Sequence, residues 1–191
     1  MKILKDIKLH FITVILFGIM FPVLIFLIGL LFPSQSKGIP IYQDNKLVGY
    51  ENIGQYFYSD KYFWGRPSEV NYNAKSAGAS NKGPTNPEYL VQVENRIKEF
   101  LLINPTIKRE QIPSDLVTGS GSGLDPHISS QAALIQIERV AKARNIIDRE
   151  KILKLVNNNI EEPLLGIFGP KNINVLKLNM ALDKLNNNDL E

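Results

Sequence analysis

An uncharged apolar stretch near the start of the chain constrains the fold more than any other sequence feature. It runs for 22 residues from Phe11 to Phe32, and 17 of these are Leu, Ile, Val or Phe. A helix of this length, rising about 1.5 Å per residue, matches a bilayer core of roughly 30 Å. At a few tenths of a kcal/mol for each apolar side chain, the sum is about 5–8 kcal/mol in favour of insertion. The sequence therefore predicts a transmembrane helix over residues 11–32.

A cleaved signal peptide is the alternative interpretation of this stretch. Basic residues precede it, and Ser34-Gln35-Ser36 resembles a small-x-small cleavage site. The apolar core of a signal peptide, however, usually holds only about 7 to 15 residues. The length of the stretch therefore favours a retained membrane anchor.

The lysines around the apolar stretch predict its orientation. Lys2, Lys5 and Lys8 precede it, whereas only Lys37 follows closely. Because positively charged residues tend to stay on the cytoplasmic side, residues 1–10 are predicted in the cytoplasm and residues 33–191 outside it. We thus expect a single-pass protein of the cell membrane, with lipid around its helix.

The composition excludes several classes of function. The chain of 191 residues has no cysteine and only two histidines. Disulfide scaffolds, cysteine nucleophiles and thiolate zinc sites are therefore excluded, and no metal site is predicted. Beyond residue 32, 19 Lys and Arg stand against 18 Asp and Glu, a net charge of +1. This balance argues against a nucleic-acid partner.

The region after the apolar stretch has the pattern of an α+β protein, with a single mixed α/β domain over residues 33–191. Short apolar runs on either side of a polar turn predict a β-hairpin within residues 39–50. Capping residues and helical periodicity predict four helices. They are expected to start at Asn86-Pro87, at Asp125-Pro126 or Ser129, at Asp148 and at Asn174, the first ending at Asn104 and the second running through Arg144.

Two segments of this domain lack helical periodicity. Six aromatic residues lie between Tyr56 and Trp64, a density that is typical of a core. A surface facing the membrane or a partner is the alternative for this aromatic segment, because Tyr and Trp also favour such places. Residues 71–87 are rich in Asn, Ser, Gly and Pro, and are predicted to form an unusually long loop.

The most distinctive motif is a Gly-Ser-rich stretch from Gly119 to Ser129. Its glycines, with a helix start expected just beyond, would let backbone N–H groups hold a phosphate. The nucleotide-binding candidates are then Ser120, Gly121, Ser122, Gly123, Asp125 and His127. Leu124 replaces the third glycine of G-x-G-x-x-G, however, and no Gly-Lys-Ser/Thr follows. We therefore favour a structural turn in which Asp125 caps the next helix.

Catalysis by this stretch is not expected. Ser120 or Ser122, together with Asp125 and His127, supplies the residue types of a hydrolytic triad, but all lie within eight positions. A triad needs side chains that converge on one point from suitable directions. We predict no catalytic residue and interpret His127 as a hydrogen-bonded structural histidine.

Four residues are candidates for contacts with a partner. Gly18 and Gly29 would allow another helix to approach closely in lipid. Trp64 and Arg66 are expected either to form a cation–π pair or to contact a partner.

Other charged residues are expected at the surface. Arg139 and Arg144 are interpreted as solvated helix arginines, with an acidic partner surface as the alternative. The run Glu161-Glu162-Pro163 is interpreted as a polar turn, because adjacent side chains rarely point at one substrate.

Several segments, in order behind one apolar helix, together point to a family. They are Tyr62 to Ser68, Ser80 to Asn86, Val117 to Ser129, Arg139 to Arg144 and Asn174 to Asn179. This arrangement resembles the C subunit of the Kdp-type potassium-transporting P-type ATPase over nearly the whole chain. The resemblance implies a four-subunit complex of the bacterial inner membrane that imports potassium at the expense of ATP. The partners would be a channel-like potassium-binding subunit, an ATP-hydrolysing P-type subunit and a small membrane peptide.

The sequence fits a non-catalytic place in such a complex. It contains neither an Asp-Lys-Thr-Gly-Thr phosphorylation motif nor a Thr-Val-Gly-Tyr-Gly selectivity filter. Both chemistries would therefore lie in partner subunits, and the chain is expected to have no cofactor of its own, with ATP reached only through the complex.

The resemblance leaves two roles open. One is an accessory subunit needed for assembly and stability. The other is a catalytic chaperone that raises ATP affinity, with the loop from Val117 to Ser129, which contains the Gly-Ser stretch, as the suggested contact. Because the predicted orientation places that stretch outside the cytoplasm, where ATP is scarce, we favour the assembly role. Without the resemblance, a free-standing extracytoplasmic enzyme and a solute-binding module are the alternatives.

Overall fold

The computed structural model describes residues 2–33 and 38–188 and divides the chain into two compact units, residues 1–40 and 41–191. The first unit is helical. It contains α1 (Lys2–Ile15), a π-helical turn (Leu16–Met20) and α2 (Phe21–Leu31). The stretch Lys5–Leu31 is 27 residues long, with a mean hydropathy of 3.0 in its most apolar window, and is long and apolar enough to cross a membrane. The possible cleavage site at Ser34–Ser36 lies outside the described residues.

The π-helical turn accompanies Pro22, which follows it in the first turn of α2. Proline has no N–H to donate to the carbonyl one helical turn earlier, so the ordinary hydrogen-bond ladder cannot continue through it. The backbone N–H of Phe21 instead donates to Leu16 O, five residues back. The helix thus passes the proline by widening its backbone over one turn.

The second unit begins with the predicted hairpin. Strands β1 (Pro40–Gln43) and β2 (Lys46–Tyr50) pair with each other. The two residues between them, Asp44 and Asn45, have φ of 49° and 60°. Consecutive positive φ values define the two-residue hairpin turns whose twist matches that of the strands, and Asp and Asn tolerate them well. The hairpin prediction is confirmed.

After the hairpin, the described residues up to 188 form a small antiparallel sheet and five helices. The helix α3 (Pro87–Ile103) is followed by two short 3₁₀ turns, at Arg109–Gln111 and Ser114–Leu116. The sheet has the strand order β3-β5-β4, with His127 opposite Asn174 and Ile160 opposite Ile173. The remaining elements are β3 (His127–Ser129), α4 (Ser130–Leu134), α5 (Ile137–Arg144), α6 (Arg149–Asn158), β4 (Ile160–Glu161), β5 (Asn172–Asn174) and α7 (Val175–Asn188).

The core lies where these helices cover the small sheet. Ile128 from β3 and Ile173 from β5 are fully buried, and Phe63 from the aromatic segment packs with them. The prediction that the aromatic segment belongs to the core is right for Phe63, whereas Tyr56 and Tyr58 are 67 % and 75 % exposed. The helices contribute further buried residues: Ala132, Ala133, Val140, Ile152, Val156, Leu178 and Leu182.

Three of the four helix predictions are confirmed, and one is wrong in detail. Asn86 caps α3 by accepting from Tyr89 N, Asp148 caps α6, and α7 starts directly after Asn174. For the second helix, the alternative start at Ser129 is confirmed and the start at Asp125-Pro126 is wrong, because strand β3 lies between them. The single helix predicted to run through Arg144 is two helices, separated at Ile135 and Gln136. Helix α4 is not capped by Asp125.

The residue that caps α4 is Ser129. Its Oγ accepts from Ala132 N at 3.1 Å, and its own N–H donates to Asp115 Oδ2 at 2.6 Å. The strand His127–Ser129, paired with β5, places the N-cap four residues beyond Asp125.

The interpretation of Arg139 and Arg144 as solvated arginines is wrong. Their side chains are only 4 % and 6 % exposed. The guanidinium of Arg139 lies 4.6 Å from the centre of the Trp64 ring, and that of Arg144 lies 4.8 Å from the Tyr62 ring. Burial lowers the pKa of Arg139 to about 10, which still leaves the guanidinium charged at neutral pH. Both arginines therefore stack on the aromatic segment inside the domain.

Two buried amides hold the aromatic segment in place. Asn179 Oδ1 accepts from Phe63 N at 2.9 Å, and its Nδ2 donates to Phe63 O at 3.0 Å. Gln136 does the same for Trp64, with Oε1 accepting from Trp64 N at 2.8 Å and Nε2 donating to Trp64 O at 3.2 Å. Each amide supplies the pair of hydrogen bonds that a neighbouring strand would otherwise provide.

We predict that Asn179→Leu destabilises the domain strongly. The side chain of similar size leaves the buried N–H and C=O of Phe63 without partners, and each such group costs about 1–3 kcal/mol. The expected loss in the free energy of unfolding is about 2–4 kcal/mol, measured by chemical denaturation of the full chain in detergent. The matched control is Asn157→Leu at an exposed position of α6, which should change stability by less than about 0.5 kcal/mol. Equal effects of the two substitutions would contradict this account.

Candidate functional site

The Gly-Ser stretch forms a compact turn in which three backbone N–H groups, those of Ser120, Gly123 and Leu124, have partners within the domain. Gly123 N donates to Ser120 Oγ at 2.8 Å, and Leu124 N donates to Ser122 Oγ at 3.1 Å. Ser120 N donates to Pro67 O at 3.3 Å. A phosphate cradle needs several convergent N–H groups that point at the ligand. Here these three groups are used within the domain.

The two central glycines of the turn have different surroundings. Gly123 has a φ of +69°, and a Cβ there would lie 2.6 Å from Val70 Cγ2 and 2.8 Å from Gly78 O. Only glycine fits that position without displacing its neighbours. A Cβ at Gly121 would have no neighbour within 4 Å among the described residues. Gly123 is therefore structural, whereas Gly121 lies at an open surface.

Asp125 is the electrostatic centre of the site. Its Oδ2 accepts from Arg66 Nη1 at 2.9 Å, and its Oδ1 accepts from His127 N at 3.0 Å. Burial alone would raise the pKa of the Asp125 carboxyl, but the hydrogen bonds from His127 and Arg66 outweigh it and hold the pKa below its usual range. The carboxylate thus stays charged and engaged inside the domain.

Tyr72 lies beside the ion pair of Arg66 and Asp125. Its hydroxyl donates to Arg66 O, and burial, with Asp125 nearby, raises its pKa to about 12. Gly54 and Gly65 lie so close to the Tyr72 ring that a Cβ at either would be within 2.7 Å of a ring carbon or the hydroxyl oxygen. The long loop predicted over residues 71–87 is irregular up to Asn86, since Pro87 begins α3, and Tyr72 holds its first residues at the site.

His127 lies between two carboxylates from different elements. Its Nδ1 is 3.6 Å from Asp125 Oδ1, and its Nε2 is 3.3 Å from Glu161 Oε2 on strand β4. The Asp125 carboxylate raises the pKa of the imidazole, burial lowers it, and Glu161 raises it, with a net rise above the ordinary value. Glu161 also pairs with Lys177 of α7 at 3.3 Å, so the interpretation of this residue as part of a simple polar turn is wrong.

Ser120, Ser122 and His127 are not arranged for hydrolysis. The hydroxyl oxygens of Ser120 and Ser122 accept from backbone N–H groups of their own turn, and Ser120 is buried. Neither is paired with His127, whose neighbours are carboxylates. Within residues 2–33 and 38–188, no cluster of three or more His, Asp or Glu side chains is placed to hold a metal ion.

The candidate partner-contact residues fall into two groups. Trp64 is held inside the domain, because its Nε1 donates to Ser59 O at 3.0 Å and its ring carries Arg139. The cation–π partner of Trp64 is thus Arg139 and not Arg66, which forms an ion pair with Asp125. Gly18 lies in the π-helical turn, and Gly29 lies near the end of α2.

Sequence reasoning overlooked Glu161 and Tyr72 at this site. Glu161 is 34 positions from His127, and no local spacing connects the two residues. Tyr72 lies in a polar segment that has no apolar periodicity. The pairing of β4 and β5 in the folded chain brings Glu161 next to His127.

We predict that His127 stabilises the domain below neutral pH and that this contribution fades as the pH rises. The folded-state pKa of His127 lies above its ordinary value, so its stabilisation is fully present below the unfolded pKa and is lost as the pH rises through the folded one. The difference in unfolding free energy between the wild type and His127→Gln should therefore shrink between about pH 5.5 and pH 8.5. Asp125 has a lowered pKa and loses its own contribution only at more acidic pH, so it does not confuse this window.

The control for this prediction is Glu161→Gln, which removes one of the two carboxylates at the imidazole. It should flatten the pH dependence without abolishing it, because Asp125 remains. A stability difference that grows with pH would contradict the assignment.

Comparison with known proteins finds similarity along nearly the whole chain. The family model described as KdpC: K+-transporting ATPase, c chain matches residues 3–184. The potassium-transporting ATPase KdpC subunit of Flavobacterium johnsoniae is 49 % identical over 178 residues, which cover 93 % of this chain and 95 % of that protein. Proteins of the same name from Caldanaerobacter subterraneus and Bacteroides fragilis are 48 % and 44 % identical, covering 95 % and 97 % of this chain and 94 % and 98 % of their own length. The chain therefore belongs to the KdpC family, the c chains of K+-transporting ATPases.

Proposed function

We propose that this chain is an accessory subunit of an ATP-driven potassium import complex, needed for its assembly and stability. Its partners in this proposal are a channel-like potassium-binding subunit, an ATP-hydrolysing P-type subunit and a small membrane peptide. Family membership supports a place in a potassium-transporting ATPase, since the relatives are named as subunits of one. The chain has no catalytic residue in this proposal, and it meets ATP only through the complex.

The observation that carries the proposal is that three backbone N–H groups of the Gly-Ser turn donate to partners within the domain. Its N–H groups at Ser120, Gly123 and Leu124 are used inside the domain, and Asp125 contributes a negative charge beside them. The segment that follows is a strand, and the next helix, α4, has only five residues. A turn of this kind supports a role in shaping the domain and does not resemble an anion cradle.

The apolar helix and the lysines before it support the membrane placement in this proposal. A transport-complex subunit with a helix long enough to cross a bilayer is expected in a membrane. Lys2, Lys5 and Lys8 favour a cytoplasmic N-terminus, and the α/β domain would then lie outside the cytoplasm of the bacterial inner membrane. This placement separates the Gly-Ser turn from cytoplasmic ATP.

We predict that Asp125→Ala and Gly121→Val separate the assembly role from the catalytic-chaperone role. Asp125→Ala leaves the half-buried Arg66 without its carboxylate, so it should cost about 1–3 kcal/mol of stability and weaken assembly. Gly121→Val adds bulk at an open surface and should leave stability unchanged. Both variants, once assembled with the other subunits, should keep the Michaelis constant for ATP within about twofold of the wild type.

The internal control for this experiment is Gly123→Val. It should fail to fold or assemble, because its Cβ would overlap Val70 and Gly78. A large rise in the Michaelis constant for ATP with Gly121→Val, at normal melting temperature and normal assembly, would overturn the assembly role and establish nucleotide contact at this turn.

We predict the membrane orientation from single cysteines. The chain has no cysteine of its own, so an introduced one reports a single position. A cysteine at the exposed Ser76 should react with a membrane-impermeant thiol reagent in spheroplasts, whereas one at Lys5 should react only after the membrane is permeabilised. The reverse labelling pattern would place the domain in the cytoplasm and would favour the catalytic-chaperone role.

A further inference from the structure

The connection between β4 and β5 carries an exposed apolar turn. Residues 163–170 read Pro-Leu-Leu-Gly-Ile-Phe-Gly-Pro and contain no charge. Four of them have large apolar side chains that are 60–81 % exposed: Leu164, Leu165, Ile167 and Phe168. We call residues 163–169 the apolar tip. Single exposed apolar residues are ordinary on protein surfaces, but a contiguous group of this kind marks a contact site.

The apolar tip is a preformed turn. Leu164 and Phe168 form an antiparallel bridge, with Leu164 N donating to Phe168 O at 2.9 Å and Phe168 N donating to Leu164 O at 3.0 Å. Gly166 N donates to Pro163 O at 2.8 Å, and Gly166 has a φ of +76°. Opposed residues in an antiparallel bridge project to the same face, so Leu164 and Phe168 form one patch. Because these backbone groups are paired within the turn, it can enter an apolar environment without losing them.

The apolar tip is separate from the core and from the Gly-Ser turn. An ion pair between Glu162 and Lys171, at 2.8 Å, closes its base. Below that base, Ile160 and Ile173 of the paired strands join the core. The four exposed side chains lie outside the core cluster, and we interpret them as a surface for contact with another molecule.

We propose that the apolar tip docks into an apolar recess of another subunit of the potassium-transporting ATPase complex. This proposal rests on the assembly role proposed above. The family is one of complex subunits, so a second protein surface is available to the chain. An uncharged recess would accept all four side chains and would reject a charged substitute.

The side chains of the apolar tip favour contact with a protein over contact with a lipid surface. Turns and helices that anchor at a bilayer interface commonly carry Trp or Tyr, or Lys and Arg that attract anionic lipid. Residues 163–170 contain none of these, and the one lysine at the base, Lys171, is neutralised by Glu162. The apolar tip therefore lacks the groups that recognise a membrane surface.

The first test compares two double variants in the full complex. Leu165→Ser with Ile167→Ser removes the outermost side chains of the apolar tip. Leu102→Ser with Ile147→Ser is the matched control, since these residues are 82 % and 97 % exposed elsewhere in the domain. We expect the tip variant to reduce co-purification with the other subunits at least tenfold, with an unchanged melting temperature for the full chain in detergent. Equal recovery of the tip variant and the control would overturn the proposal.

The second test distinguishes contact with a protein subunit from contact with lipid. Ile167→Cys, labelled with an environment-sensitive fluorophore, places a single probe in the apolar tip of the full chain. We expect its emission to shift to the blue in proteoliposomes only when the other subunits are present. A blue shift with the chain alone in the same lipid would assign the tip to the bilayer and would overturn the proposal.

These tests separate the apolar tip from the broader assembly role. If the remaining subunits stay together without this chain, the assembly role fails, while a probe shift on their addition still supports docking. If removal of the chain disperses the complex but the tip variant assembles normally, only the docking proposal is overturned.

Discussion

The backbone at Phe63 and Trp64 crosses the interior outside any sheet, and the domain depends on side chains that supply its hydrogen bonds. Asn179 and Gln136 each bind both backbone groups of one residue. Buried peptide groups without partners would be costly, so these amides must be held rigidly. Their helices, α7 and α4–α5, are thereby fixed relative to the aromatic segment.

Arg139 and Arg144 add charged contacts to the hydrogen bonds that hold the aromatic segment. Arg139 donates to Gln136 Oε1 at 2.6 Å while it stacks on Trp64, and Arg144 joins Tyr62 to Asp183 of α7. Planar guanidinium groups suit such sites because they stack and donate in one plane at once. The segment continues to Arg66, whose ion pair with Asp125 orients the Gly-Ser turn. The geometry of the candidate site thus depends on the packing around the aromatic segment.

Local chemistry was sufficient to predict some elements of this fold. Asn86-Pro87 specified a helix start, and the polar turn between short apolar runs specified the hairpin, because both signals act within a few residues. The sequence leaves the start of the next helix open between Asp125-Pro126 and Ser129, with Asp125 favoured as the cap, because the strand between them forms through pairing with the distant β5. Burial of Arg139 and the approach of Glu161 to His127 depend in the same way on contacts between distant residues. Spacing along the chain carries no signal for them.

The π-helical turn has a consequence for how the apolar helix meets its neighbours. A π-helical turn inserts about one extra residue into the α-helical repeat, which displaces all later side chains by roughly 100° around the axis. Residues spaced seven apart lie on one face of the helix through α1. Beyond the π-helical turn at Leu16–Met20, residues at the same spacing lie on a different face in α2. One straight neighbouring helix cannot follow both sets of residues. The helix instead presents two separate faces, one on each side of the turn.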